Sequence, residues 1–473
     1  MAFYKKIFLF FLLTLSVSIY YFQNMSEFSQ SPKFIQKTEP SLAPKNIILF
    51  IGDGMGPSYM KAYQRFRDNP KTAELEETLF DSMFVGILST EPALPLSAVT
   101  DSAAAATAMA TGIKTKVGSI GLDINGQSLL TILEAAKQKG LSTGLVVTTN
   151  VSDATPASFA SHQNSRKNEE AIIRDYIDRR YQQLPYIDVL MGGGAGVFVQ
   201  DGRNIINEFK QLGYQYVEDR EALKKNNSPQ LLGLFSAGAL EKMIDRKLTT
   251  PSLAEMTRAA IKQLSKNEQG FFLMVEGSQI DWAGHYQDIV SVMSEMQDFE
   301  AAVLVAKEFA DSNFLNKETQ IIVTADHSTG GLSVGNEIGD ALHPEWNASI
   351  IQKIKYSPKI ILEKALRSQD IENEFYLATG LKLTEQEMKN INALNITDYY
   401  LKGDHLTPHQ QKELHRIFSY LCQIISERSY TGWTTHAHTG EDVFLYAYGP
   451  VSKQLQGRWE NTKIAQLIFQ WLN

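Results

Sequence analysis

The sequence predicts an α/β domain: a largely parallel central sheet with helices on both faces, interrupted late in the chain by a helical insertion. Three observations predict it. Short, continuous apolar runs occur at 47–51 (IILFI), 84–88, 144–148, 187–191, 271–275 (FFLMV), 321–325 (IIVTA) and 443–448. Strands buried on both faces read this way, without polar alternation. Between most of them lie helical stretches at 128–139, 168–184, 203–212, 252–266 and 288–311, the alternation expected when helices cover a parallel sheet. From about 340 to 432 that rhythm stops; helices are expected near 349–366, 384–394 and 407–427, with no strand among them.

At 473 residues, the chain exceeds the size at which one core stops growing, so one large domain or two are allowed. Its 45 basic and 53 acidic side chains leave a net charge of −8, which argues against a nucleic-acid binder held by a basic field. A composition of 43% hydrophobic and 21% charged residues excludes disorder for most of the length. The single cysteine, Cys422, excludes an intramolecular disulfide and any thiolate zinc site. A transition metal here must be held by histidine and carboxylate. At the N-terminus, Lys5 and Lys6 precede an apolar run from Ile7 to Phe22. Residues 1–24 therefore read as a signal peptide or N-terminal membrane anchor, with Ser16-Val17-Ser18 as a cleavage site if it is cut. An exported protein is expected, periplasmic or secreted, or held at the membrane by residues 7–22. Residues 25–44, with Pro32, Pro40 and Pro44, read as a linker. The folded domain is 45–473, with the insertion at about 340–432.

The chemistry lies where strands end. The first run passes into Gly52-Asp53-Gly54-Met55-Gly56, a carboxylate flanked by glycines that permit a sharp turn and close approach of a ligand. The run at 271–275 passes into Glu276, then Asp281 and His285, four residues apart and on one face of a helix. The run at 321–325 passes into Asp326-His327, and His438 stands in HTGED just before the run at 443. In parallel α/β folds such loops meet at the carboxyl edge of the sheet. Together they offer enough imidazole and carboxylate for two zinc ions without a thiolate. Ser102 follows Thr100-Asp101 and opens an alanine-rich helix, 103–111, stopped by Gly112. Free N–H groups and the helix dipole favour an anion at that end; Asp101 or Ser102 also suits a helix cap.

These residues lie in NIILFIGDGMG, TDSAAAATAMATG, SDATPASFASHQNSRK, EGSQIDWAGH, VTADHSTGG and HTGEDV. In that order, the motifs resemble those of the alkaline phosphatases, from residue 46 to 473 except for the insertion. The resemblance implies a phosphomonoesterase in which Ser102 is the nucleophile, forming a phosphoserine intermediate. It makes Arg166 the phosphate clamp, oriented by Asp101. It assigns Asp281, His285 and His438 to a first zinc, and Asp53, Asp326 and His327 to a second. Asp53 with Asp153, Thr155 and Glu276 forms an all-oxygen set for one magnesium ion. It further implies phosphate monoester substrates and a homodimer. One departure stands out: Trp282 follows Asp281, where some members carry a lysine or histidine that contacts the phosphate or third metal indirectly, and it supplies no charge.

Other readings weigh less. Sulfatases need Cys or Ser in a C/S-x-P-x-R setting, which Ser102-Ala103-Ala104 lacks. A phosphodiesterase of the same superfamily does without the third metal site and the matching arginine, so Asp153, Thr155, Glu276 and Arg166 favour the monoester. A non-catalytic phosphate-binding surface protein is opposed by the complete ligand sets. Gly192-Gly193-Gly194 reads as a strand-end turn, His162 as a structural histidine or one supporting the site, and His405 with His409 near Asp404 as a solvated helix start. His436 is close to His438, but HTGED is the run that matches.

Overall fold

The computed structural model describes residues 43–69, 71–93, 97–312, 318–336, 345–394 and 408–473, with the backbone alone for 408–410. The expected N-terminal segment 1–24, and all but the end of the linker 25–44, lie outside the described residues, as do Asp404 and His405.

Ten strands form the main sheet: β1 (Asn46–Gly52), β2 (Phe84–Ser89), β3 (Ser142–Asn150), β4 (Val189–Gly193), β5 (Gln215–Val217), β6 (Leu231–Leu234), β7 (Phe271–Gly277), β8 (Thr319–Ala325), β9 (Val443–Tyr448) and β10 (Gly457–Glu460). Their order is β10-β2-β9-β8-β1-β7-β3-β4-β6-β5. β1 lies near the centre, parallel to β7 and β8, with Asn46 opposite both Phe271 and Thr319. Parallel pairing continues through β3, β4, β6 and β5. β9 alone is reversed, antiparallel to both β8 and β2. Every residue of β1, β7 and β8 is buried, which is why their sequences are unbroken apolar runs.

Helices cover the sheet. α1 (Pro57–Arg67), α2 (Ser102–Thr111) and α3 (Ala154–Ala160) each follow a strand-end loop. α4 (Leu253–Leu264) starts in a capping box, with Ser252 and Glu255 each bonding the other's backbone N–H. Leu253, Met256, Ala260, Ile261 and Leu264 form its buried stripe. α5 (Gln279–His285) leads into the long α6 (Ile289–Asp311), whose Phe299 packs edge-on against Phe50 of β1 at 6.0 Å between ring centres. Between β8 and β9 lie α7 (Ala348–Lys353), α8 (Pro358–Ser368), α9 (Ile371–Thr379), α10 (Glu385–Ala393) and α11 (Pro408–Arg428); α12 (Thr462–Leu472) ends the chain. The helix expected at 349–366 is broken. Ser357 caps Ile360 N–H and Pro358 occupies the first turn of α8, so a new helix starts there.

Candidate active site

The side chains expected to bind metal meet at one edge because of strand direction. Asp53 follows β1, Asp326 and His327 follow β8, and Glu276 lies within the last residues of β7. Asp153 and Thr155 follow β3, while Asp281 and His285 sit on α5 just past β7. His438 comes before its strand rather than after it. Because β9 runs backwards, its start lies at the edge where the parallel strands end. A short strand pairing, Ser328 with Thr439 and Thr329 with His438, draws it against Asp326-His327. The glycine between them is required. Gly54 has φ +69°, and a Cβ there would lie 2.6 Å from Thr329 Oγ1 and 2.8 Å from Asp281 Oδ1.

Among the described residues, two groups of three have potential ligand atoms all within 4.8 Å of one another: Asp281, His285 and His438, and Asp53, Asp326 and His327. In the first, His285 Nε2 lies 3.2 Å from Asp281 Oδ2 and 3.2 Å from His438 Nε2. The opposite ring nitrogens are already engaged: His285 Nδ1 meets the His436 carbonyl at 2.6 Å and His438 Nδ1 the Thr100 carbonyl at 3.0 Å. A carbonyl only accepts, so both Nδ1 atoms carry protons and both Nε2 atoms face inward. The hydrogen bond to Asp281 raises the His285 pKa, while burial and the neighbouring His327 lower that of His438. A proton on His285 Nε2 thus stands between acceptors where a divalent cation fits. Burial alone would raise Asp281, but the His285 bond and the surrounding imidazoles hold it below the usual carboxylate range.

In the second group, His327 Nε2 is 3.4 Å from Asp53 Oδ1 and 3.3 Å from Asp326 Oδ2. All three residues are buried. Burial and the charges of Asp326 and Asp281 push the Asp53 carboxyl well above its usual range. Burial, with Asp153 nearby, does the same to Glu276. Asp53 Oδ1, Asp326 Oδ2, Thr155 Oγ1 and Glu276 Oε2 are all buried without a hydrogen-bond partner. Each such atom costs roughly 1–3 kcal/mol, so four at one edge fit a site completed by cations. The donor chemistry divides: histidine with carboxylate in the two groups suits zinc, and the Thr155–Glu276 oxygens suit a hard ion such as magnesium.

Ser102 is the first residue of α2. Asp101 caps that helix by accepting from Ala104 N–H at 3.0 Å, and it also accepts from Gly118 N–H. Gly112, at φ +76°, ends the helix as expected. Ser102 Oγ lies 3.2 Å from His327 Nε2 and 3.4 Å from Arg166 Nη1. Arg166 spans Asp101 Oδ2 at 3.3 Å and Asp153 Oδ1 at 3.0 Å. Burial opposes its charge, yet Asp153, Asp101 and Asp53 more than compensate and raise its pKa. The guanidinium is thus held flat beside the serine. Asp153 has further ties, to Ala154 N–H and Thr149 Oγ1, so its oxygens are shared between Arg166 and the oxygen-rich group.

Sequence reasoning missed Thr329. Its hydroxyl donates to Asp281 Oδ1 and accepts a hydrogen bond from His327 Nδ1 at 3.3 Å, tying one group to the other. The available signal was its position two residues after His327, since alternate residues of an extended segment share a side. The carbonyls of Thr100 and His436 carried no such signal. His436 bonds His285 twice, its carbonyl accepting from His285 Nδ1 and its own Nδ1 donating to the His285 carbonyl at 2.9 Å, while His162 is occupied elsewhere, between the Gly121 carbonyl and Glu134 Oε1. Gly194, at φ +93°, forms the strand-end turn expected of the glycine run. Trp282 lies with the Lys242 ammonium 5.9 Å from its ring centre.

An anionic ester approaches Ser102 only where positive charge offsets the many carboxylates, so the fold and site define a metal-dependent hydrolase of phosphate esters. The alkaline phosphatase family model matches residues 44–473. Alkaline phosphatase 3 of Bacillus subtilis is 47% identical over 431 residues, covering 90% of this chain and 89% of that protein. Alkaline phosphatase 4 of the same organism is 42% identical, covering 94% and 93%. The crystal structure of a cold-active alkaline phosphatase from a psychrophilic Shewanella matches with a TM-score of 0.80 at 38% identity, covering 90% of this chain and 100% of that one. The chain belongs to the alkaline phosphatase family, and its activity is that of a phosphoric monoester hydrolase.

Proposed function

We propose that the chain hydrolyses phosphate monoesters through a phosphoserine on Ser102, in a site for two zinc ions and one magnesium ion. The observation that carries this reading is the position of Ser102 Oγ, 3.2 Å from His327 Nε2 and 3.4 Å from Arg166 Nη1, at the start of α2. Asp281, His285 and His438 would hold one zinc, Asp53, Asp326 and His327 the other, and Asp53, Asp153, Thr155 and Glu276 the magnesium. When bound, these ions supply Lewis acidity, stabilising the leaving oxygen and lowering the pKa of the serine hydroxyl and of the hydrolytic water.

The chain's own residues do the rest. Arg166 takes two phosphoryl oxygens on its planar fork, and Asp101 and Asp153 fix the plane of that fork. The free N–H groups opening α2 face the same anion. Ser102 Oγ forms a bond to phosphorus as the ester P–O bond breaks, releasing the alcohol. Water then bonds to phosphorus as the serine P–O bond breaks, giving inorganic phosphate and free Ser102. Recognition centres on the phosphoryl group, so chemically varied monoesters are substrates.

The test is turnover of p-nitrophenyl phosphate against bis-p-nitrophenyl phosphate, with and without chelator, plus acid-quench mass spectrometry for a phosphate on Ser102. Monoester preference, chelator sensitivity and the Ser102 adduct are expected. Preferred diester cleavage, or an adduct elsewhere, would overturn the reading.

The same reading includes export, with residues 1–24 as signal or anchor, 25–44 as linker, and 45–473 as catalytic domain with the insertion at 340–432. It rests on the Lys5-Lys6 start and the apolar run Ile7–Phe22. Among the described residues no helix is long and apolar enough to cross a membrane. Cell fractionation with N-terminal sequencing tests export and cleavage, and light scattering tests a homodimer.

A further inference from the structure

Asp281 and His285 occupy one face of α5; Gln279, Trp282 and, at its end, Tyr286 line a separate cleft of about 470 Å³. The opposite wall is built by Leu362 and Leu366 of α8 and Phe418 of α11. That volume falls within the range of small-molecule sites, about 300–1,000 Å³. The lining is aromatic on both sides: Tyr286 stands edge-on to Phe418 with ring centres 5.3 Å apart.

Two ammonium groups line this surface, and one of them, Lys359, lies 3.9 Å from Glu363. Lys242 Nζ donates to the Gln279 carbonyl at 3.0 Å and to Gln279 Oε1 at 2.7 Å, and lies 5.9 Å from the Trp282 ring centre. Among the described residues no carboxylate forms an ion pair with it. The four acids of the cleft are all engaged, Glu241 with Lys247 at 2.5 Å. Asp245 accepts from Ser357 N–H at 3.0 Å, Asp288 from Ser291 N–H at 3.1 Å, and Glu363 lies 3.9 Å from Lys359. An ammonium has three N–H bonds, and Gln279 takes two. Burial lowers the Lys242 pKa to about 8, against the opposing pull of Glu295 and Asp288, so the group remains mostly charged at neutral pH.

We propose that this cleft is a second ligand site, distinct from the phosphate site, for a small aromatic anion whose ring lies among Trp282, Tyr286 and Phe418 and whose acid group meets Lys242 Nζ. A neutral aliphatic ligand leaves the third N–H of Lys242 without an acceptor, and a polyanion meets Asp245 and Glu363. One ring system with one acid group satisfies both constraints. The proposal goes beyond the phosphatase reading and does not depend on the identity of the metals.

The probe is 8-anilinonaphthalene-1-sulfonate, titrated into the full, metal-loaded chain. Saturable binding of one dye per chain is expected, unchanged by saturating inorganic phosphate. Lys242→Met should weaken it at least about tenfold, the cost of losing one charge-assisted hydrogen bond. Leu366→Trp, which fills the cleft from the insertion side, should remove it while p-nitrophenyl phosphate turnover and cooperative melting persist. Displacement of the dye by phosphate would overturn the proposal, because the dye would then share the catalytic site. Dye affinity unchanged in a folded Leu366→Trp variant would overturn it as well, even if Lys242→Met failed to fold.

Discussion

Ser102 has one hydroxyl and two neighbours that define its use, His327 Nε2 and Arg166 Nη1. The two cation-ready groups come from other loops, so Ser102→Ala should leave metal content intact. It should also lower kcat for p-nitrophenyl phosphate by at least about 10³-fold, as expected for loss of a covalent nucleophile. Near-parental turnover with full metal content would sink the phosphoserine mechanism. Arg166→Ala removes a two-pronged, charged contact; inhibition by inorganic phosphate should weaken by roughly 10–100-fold, from about 1.5–3 kcal/mol per charged hydrogen bond. An unchanged inhibition constant would deny Arg166 that role. Glu276→Gln tests the oxygen-rich group separately: two zinc ions per chain should persist by elemental analysis while magnesium stimulation disappears. Persistent stimulation would place magnesium elsewhere. The side chains that meet at this edge were legible as candidates because each stands in a short motif beside a strand. Thr329 and the Thr100 and His436 carbonyls were not, because what they touch is fixed only once segments distant in sequence have met.

At the scale of elements, the loop from β1 to α1 shows how tightly backbone and site are joined. Gly54 is in the left-handed region and its Cα faces Thr329 Oγ1 and Asp281 Oδ1. Gly54→Ala therefore meets both a strained φ and a collision with the contact linking the two groups. It should destabilise the metal-loaded protein by roughly 1–3 kcal/mol and reduce zinc content; calorimetry and elemental analysis check both, and parental values for the two would refute the account. Strands β1, β7 and β8 were readable because burial on both faces demands unbroken apolar sequence. β10 (Gly457–Glu460) was not, since all four residues are exposed and polar or small apart from Trp459; it is a strand by pairing with β2 alone. The short β5 and β6 escaped for lack of length. Within the insertion, α9 (Ile371–Thr379) was missed and the break before α8 was overlooked, although Ser357-Pro358 is a recognisable helix start.

For the whole molecule, the unpaired buried carboxylates tie stability to both metal and pH. Burial raises the pKa of Asp53 and Glu276, so the metal-free folded chain binds more protons than the unfolded chain above the ordinary carboxylate range, about pH 4. Its stability must then fall as pH rises through that window. His285, raised by its hydrogen bond to Asp281, adds the same sign near neutrality, and His438, lowered by burial and His327, offsets it there. Asp281 has the opposite sign, but its lowered pKa acts only below about pH 4. Bound cations replace these protons. Chelator should therefore lower Tm more at about pH 8 than at about pH 5, a window set by ordinary carboxyl and imidazole values, and a scanning-calorimetry series reads this directly. An equal loss at both pH values would contradict the linkage.

The central position of β1 has a consequence for synthesis. Asn46 emerges early, but its partners on the two sides are Phe271 and Thr319. At about 5–20 residues per second, the segment NIILFIG waits roughly ten seconds to a minute for its neighbours. During that interval it is a naked apolar strand, open to pairing with another nascent chain. His438 arrives later still, so the group of Asp281, His285 and His438 lacks a member until residue 438 has been made. A chain that has not yet reached Thr319 is therefore adhesive and chemically silent at once, and its site is assembled only after His438 has joined it.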